Sequence, residues 1–176
     1  LRNHGMVKDT SMKPWEYEMV ALGFNYRITD VQCALGISQL NRVGEFVEAR
    51  RQIAKLYDEW LKETILMPLN ISDSYSSYHL YIVRINFRNT QQTRESLFIA
   101  MKEDGISLQV HYLPINKQPY YQKIGYGCEK TPIMSQYSEQ CISLPIYPAL
   151  SQEQQLYIVQ CLFKHLHISK HIEMFS

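Results

Sequence analysis

The chain has 176 residues, 45% of them hydrophobic, and its 18 Lys+Arg against 17 Asp+Glu leave a formal charge of +1. That apolar share builds one substantial core or two small ones. So even a charge balance offers no basic stripe for nucleic acid and no polybasic anchor for a membrane surface, and a small, weakly charged partner fits better.

Four cysteines, Cys33, Cys128, Cys141 and Cys161, are widely spaced, with no CxxC pair and no disulfide framework. Reduced thiols in a cytoplasmic protein are the expectation. No run approaches the roughly 20 apolar residues that cross a bilayer, and no basic-then-apolar leader opens the chain. The first residues are Leu1-Arg2-Asn3-His4-Gly5, without an initiator methionine, so a further N-terminal region is expected.

In chain order, a polar stretch with Pro14, Trp15 and Tyr17 runs as a loop to Leu22-Gly23-Phe24-Asn25-Tyr26-Arg27. Thr29 followed three places later by Gln32 matches a capping box, so a helix is expected to begin near Asp30. Apolar residues then keep a helical face from Val31 to Leu61, weakened at Gly44. Two successive helices, or one bent helix, should end before Pro68, because proline disfavours helical geometry in its predecessor. After the serine-rich loop Ser72 to Ser77, the β-branched and aromatic run His79–Ile85 predicts a strand. A helix is expected within Thr90–Asp104, stopped by Gly105, and a second strand over Ile106–Val110. His111 to Pro119 reads as a proline-framed loop, Tyr120–Ile124 as a helical turn, Pro132–Cys141 as a helix, and the region near Ser143 as a short strand. Ser151 with Gln154 forms a second capping box, opening a helix to about Phe163. Leu166 to Ser176 reads as a frayed tail. The order predicts an α+β fold, a small sheet covered by helices and preceded by a long helix.

Weighed as chemistry, His165, His167 and His171 lack a cysteine or carboxylate at zinc-ligand spacing and sit on an end expected to fray, so no metal site is expected. Cys33, Cys141 and Cys161 fall in apolar helical contexts, where thiols act as small hydrophobes. No Walker loop, GxGxxG, HExxH or GxSxG string occurs. Two places remain. His111, Tyr112, Gln118, Tyr120 and Tyr121 offer directional hydrogen bonds to a polar ligand, against the plainer reading of amphipathic core-edge residues. Asn25 and Arg27, just ahead of a capped helix, offer an amide and a guanidinium for an anion, against the plainer reading of a turn and a surface charge.

The run Gly23-Phe24-Asn25-Tyr26-Arg27-Ile28-Thr29-Asp30-Val31-Gln32-Cys33-Ala34-Leu35-Gly36 resembles the G-x-N-Y-R-x-[ST]-[DE]-x-Q-A-A-x-G segment of the DegT/DnrJ/EryC1/StrS aminotransferases. The opening Leu1 to Gly5, Gln39-Leu40 to Arg51, Ser77-Tyr78-His79-Leu80-Tyr81, Gly105-Ile106 through His111-Tyr112-Leu113-Pro114 to Tyr121, and Ser143-Leu144-Pro145-Ile146-Tyr147-Pro148 extend it over residues 1 to 163. Several segments are most similar to the branch that aminates a UDP-4-keto-6-deoxy-N-acetylhexosamine on the pseudaminic acid route.

The resemblance implies the C-terminal small domain of a fold-type I enzyme dependent on pyridoxal 5'-phosphate (PLP). Residues 1–62 would complete the large domain and dimer face, 63–165 would form the small domain, and 166–176 the tail. It implies amino transfer, typically from glutamate, to a 4-keto nucleotide sugar in glycan biosynthesis, by a homodimer whose sites are shared between subunits. Asn25 matches an asparagine that reaches the cofactor phosphate of the neighbouring subunit, and Arg27 is carried over as an anion-binding residue. His111, Tyr112 and Gln118 match the sugar-nucleotide side. The family's Schiff-base lysine precedes the part matching Leu1, none of the ten lysines stands in its context, and the chain is expected to be inactive alone. A catalytically inactive fragment serving as a dimerisation or interaction module is the alternative. Many relatives carry histidine two places after the proline, where this chain has Asn116, which leaves the sugar open.

Overall fold

The computed structural model describes residues 4–8, 10, 11, 13, 18–69, 75–170 and 172. Leu1 to Asn3, Pro14, Trp15, Tyr17, Ser72, Ser74 and His171 lie outside the described residues. Two compact units result, Leu1–Val43 and Gly44–Ser176.

In the first unit, β1 (Met6–Val7) pairs antiparallel with β2 (Glu18–Met19), in register Met6↔Met19 and Val7↔Glu18. Two-residue strands are too short for any period to announce, and they stand where the sequence predicts a loop. Gly5 turns the chain at φ 72°, and a Cβ on it would lie 1.8 Å from Ala21 O, so no other residue fits this approach. Helix α1 (Asp30–Leu40) starts where the capping box predicts: Gln32 N donates to Thr29 Oγ1 at 3.3 Å and Thr29 N to Gln32 Oε1 at 3.0 Å. It buries no residue, and Val31, Leu35, Ile37 and Leu40 are all exposed.

After a break at Asn41–Arg42, α2 (Val43–Leu61) follows. Of the two arrangements foreseen, the structure has two successive helices. Gly44 lies inside α2, past the break, where a Cβ would meet nothing within 4 Å. The compact units divide at 43/44, upstream of the functional boundary expected at 62/63, because Tyr57, Trp60 and Leu61 bury α2 in the second unit's core.

That core stands on a three-stranded antiparallel sheet of order β3 (Met67–Pro68), β4 (Tyr81–Arg84), β5 (Cys141–Leu144). Tyr81 faces Leu144 and Arg84 faces Cys141. Pro68 fits β3 because an edge strand can spare a donor. The second strand expected over Ile106–Val110 shrinks to a bridge between Gln109 and Ser143. Ile106 and Leu108 are buried, but the segment meets β5 only at Ser143.

Helix α3 (Arg94–Glu103) opens on a third capping box, Thr93 with Ser96, and closes at Gly105, φ 79°, with Ile106 N donating to Met101 O and Gly105 N to Lys102 O. Helices α4 (Pro119–Lys123) and α5 (Pro132–Gln140) fall where predicted. Helix α6 (Gln152–Leu166) begins on the Ser151–Gln154 capping box, and its Gln155 Nε2 donates to Ile53 O of α2 at 2.7 Å. The tail is a correction. His167 adopts φ 54°, Ile168 N donates to Phe163 O at 2.9 Å, and Ile168 and Ile172 pack on the core. This left-handed cap continues the packing where fraying was expected, and it uses histidine in place of the glycine that would have signalled it.

Candidate functional site

The candidate residues fall in both units. In the first, His4 N donates to Phe24 O at 3.1 Å, and the rings of Phe24 and Tyr26 stack at 4.8 Å. Asn25 and Arg27 are both exposed, immediately ahead of the Thr29 cap. A carboxamide and a guanidinium near a helix N-terminus suit an anion.

In the second unit, the peptide bond between His111 and Tyr112 is cis. His111 is half-buried, with Nδ1 2.7 Å from Ser143 Oγ, and Tyr137 OH donates to His111 O at 3.0 Å. Tyr112 stands edge-on to the imidazole, centroids 4.6 Å apart, and is 66% exposed, available to a ligand. Gln118 is half-buried; its N–H donates to Ile115 O at 3.0 Å and its carbonyl accepts from Gln122 N at 3.1 Å, joining the short turn Ile115–Lys117 to α4. His111 and Tyr112 are thus brought together, while Gln118 is placed by its own turn. Tyr120 packs edge-on to Tyr121, and Tyr121 on Tyr126. Asn116 Nδ2 lies 3.5 Å from Glu129 Oε2, a long contact, and Gly127 N donates to the same oxygen at 2.7 Å. Backbone N–H groups, Glu129's own and Gly127's, hold the Glu129 carboxyl below its usual range.

Ser143 and Tyr137 were missed. They lie 32 and 26 residues from His111, and the signal in the sequence was a serine inside the apolar string Cys141-Ile142-Ser143-Leu144, an inward position where a hydroxyl needs a partner. Burial raises the Cys141 thiol, opposed by the Arg94 guanidinium, and burial likewise raises Cys161. Neither thiol is activated as a nucleophile. His165 Nε2 sits 2.6 Å from Asp104 Oδ2, which leaves it paired at the end of α3. A cleft of about 580 Å³ opens beside Gly105, Tyr147, Leu150 and Tyr157, apart from the candidate residues. Among the described residues no helix is long and apolar enough to cross a membrane.

Two small antiparallel sheets, of two and three strands, together with six helices of five residues or more among the described residues make this an α+β chain. The chain belongs to the DegT/DnrJ/EryC1/StrS aminotransferase family, whose model matches residues 1–163. It is similar to the UDP-4-amino-4,6-dideoxy-N-acetyl-beta-L-altrosamine transaminase of Campylobacter jejuni, 34% identical over 168 residues, covering 94% of this chain and 43% of the relative. Bacillus subtilis SpsC, a spore coat polysaccharide biosynthesis protein, is 31% identical over 159 residues, covering 85% and 41%. Among solved structures, Helicobacter pylori PseC, an aminotransferase of pseudaminic acid biosynthesis, superposes with TM-score 0.83 at 28% identity, covering 94% of this chain and 44% of PseC. Spr1654 of Streptococcus pneumoniae in its PMP form gives 0.83 at 29%, covering 94% and 43%. The chain therefore spans less than half the length of the relatives it matches.

The family is PLP-dependent, and relatives are solved in PLP and PMP forms. The residues here fit that cofactor in part. The chemistry of Asn25 and Arg27 suits its phosphate. Nine of the ten lysines are exposed, and the tenth, the half-buried Lys170, donates to Lys62 O at 2.6 Å.

Proposed function

We propose that this chain is the C-terminal part of a transaminase that moves an amino group, typically from glutamate, to the keto carbon of a 4-keto nucleotide sugar for glycan biosynthesis in the cytoplasm. What carries the reading is the family match across residues 1–163 together with relatives named for amino-sugar and surface-polysaccharide synthesis. Asn25, with Arg27, binds the cofactor phosphate in a site completed by a second subunit. His111, Tyr112 and Gln118 hold and orient the sugar nucleotide by hydrogen bonds and by ring contact, which fixes the keto carbon for reaction. When bound, PLP supplies the electron sink that amino transfer needs. The lysine that carries it stands outside this chain, in the large domain, and the chain alone does not transaminate.

A second reading has one specific observation behind it. Helix α1 keeps Val31, Leu35, Ile37 and Leu40 exposed, which favours association, and a fragment without chemistry would act as a dimerisation module. An amination assay separates the two. A product extended upstream by the large domain, given glutamate and a UDP-4-keto-6-deoxy-N-acetylhexosamine, should form the 4-amino sugar, with His111→Ala raising KM. No amination by the extended product would leave the interaction module standing.

A further inference from the structure

We infer that Ser143 is a positioning residue for His111, and that its hydroxyl sets the neutral imidazole as the tautomer protonated on Nε2. Ser143 is 5% exposed, and among the described residues its Oγ has one hydrogen-bond partner, His111 Nδ1 at 2.7 Å. A hydroxyl carries one proton. If Nδ1 held the ring proton and donated it, the serine's own proton would be buried without an acceptor, an arrangement folded proteins avoid. The serine O–H therefore donates to Nδ1, and the ring proton resides on Nε2.

The rest of the neighbourhood holds the ring where this bond can form. Ser143 N donates to Gln109 O at 2.7 Å and Gln109 N to Ser143 O at 3.4 Å, while Tyr137 OH fixes His111 O. Main chain and side chain of one serine thus clamp both the segment leading to His111 and its ring. His111 then offers a ligand an N–H donor, matched to an acceptor oxygen of the sugar nucleotide, and takes no proton from it. That role for Nε2 rests on the substrate reading proposed above; the tautomer does not.

The test is a long-range proton–nitrogen NMR spectrum of the 176-residue chain labelled with ¹⁵N-histidine, at a pH where the rings are neutral. His111 is assigned by its loss in His111→Gln. The expected result is Nε2 protonated, with its two nitrogen shifts separated more widely than those of the exposed histidines. Ser143→Ala should narrow that separation to the exposed value, and Ser143→Thr, which keeps the hydroxyl, should restore it. A wild-type ring protonated on Nδ1 would overturn the inference, even where the alanine variant fails to fold. So would a separation unchanged in a folded Ser143→Ala. No ligand enters this readout, so it stands or falls apart from the substrate reading, which fails on the amination assay.

Discussion

Gln155 ties two helices together inside the core, and its replacement makes a prediction whose sign depends on pH. The side chain is 1% exposed and its Nε2 donates to Ile53 O at 2.7 Å. Ile53 O also has its own helical partner within α2, so Gln155→Leu, similar in volume, should cost only about 1 kcal/mol for the lost bond. Gln155→Glu sets a carboxyl oxygen against that carbonyl, and only the protonated acid can bond to it. Burial and the carbonyl both favour the neutral form, so the folded pKa rises above the unfolded value of about 4.3. The folded state then binds the proton more tightly than the unfolded state, and stability falls as pH rises through that interval by about 1.4 kcal/mol per unit. From about pH 4.3 to about pH 6.5 the variant should lose roughly 3 kcal/mol relative to wild type, provided the folded pKa stays above that range. Urea unfolding near those two pH values, followed by circular dichroism and by the fluorescence of buried Trp60, measures it. A pH-independent difference between Gln155→Glu and wild type, or Gln155→Leu as damaging as Gln155→Glu at the higher pH, would mean that no buried carboxyl–carbonyl contact governs the stability of the variant.

Three further outcomes are expected. Leu162→Ala removes a fully buried side chain of α6 and should cost about 2–5 kcal/mol in the same urea titration. Burial raises the Asp58 carboxyl, opposed by the hydrogen bond that Tyr81 OH donates to it at 2.6 Å. The folded state therefore favours the protonated acid, and wild-type stability should fall relative to Asp58→Asn as pH rises from the unfolded aspartate value. Asp104 has the opposite sign: its bond with His165 at 2.6 Å is the main cause of its lowered pKa. Asp104→Asn should be less stable than wild type above the unfolded aspartate pKa, with the difference vanishing as pH falls through the folded value.

What was legible in the sequence was what a few adjacent residues decide. Thr29 with Gln32 and Ser151 with Gln154 announce two helix starts because each box closes over three residues. Gly105 announces a stop because φ 79° suits glycine. The third box escaped notice because Ser96 fills the place where glutamine or glutamate is the usual signal. The cap at His167 escaped because glycine is absent from it. β1, β2 and β3 are two residues each and exist through pairing with distant chain, which no local period reports. The candidate site divides in the same way. Asn25, Arg27, His111, Tyr112 and Gln118 stand out in short strings resembling the family, whereas Ser143 and Tyr137 meet His111 across 32 and 26 residues, Ser143 through the bridge that β5 makes with Gln109.

The proposed function sets the cofactor-bearing lysine of a PLP enzyme outside these residues. The most direct measurement is a titration with PLP, followed in the pyridoxal absorbance region and trapped with borohydride, on this chain alone and on a product extended upstream. A stoichiometric trapped adduct is expected in the extended product, mapped to one upstream lysine, and none with this chain alone. A stoichiometric adduct on a single lysine among these 176 residues would contradict it.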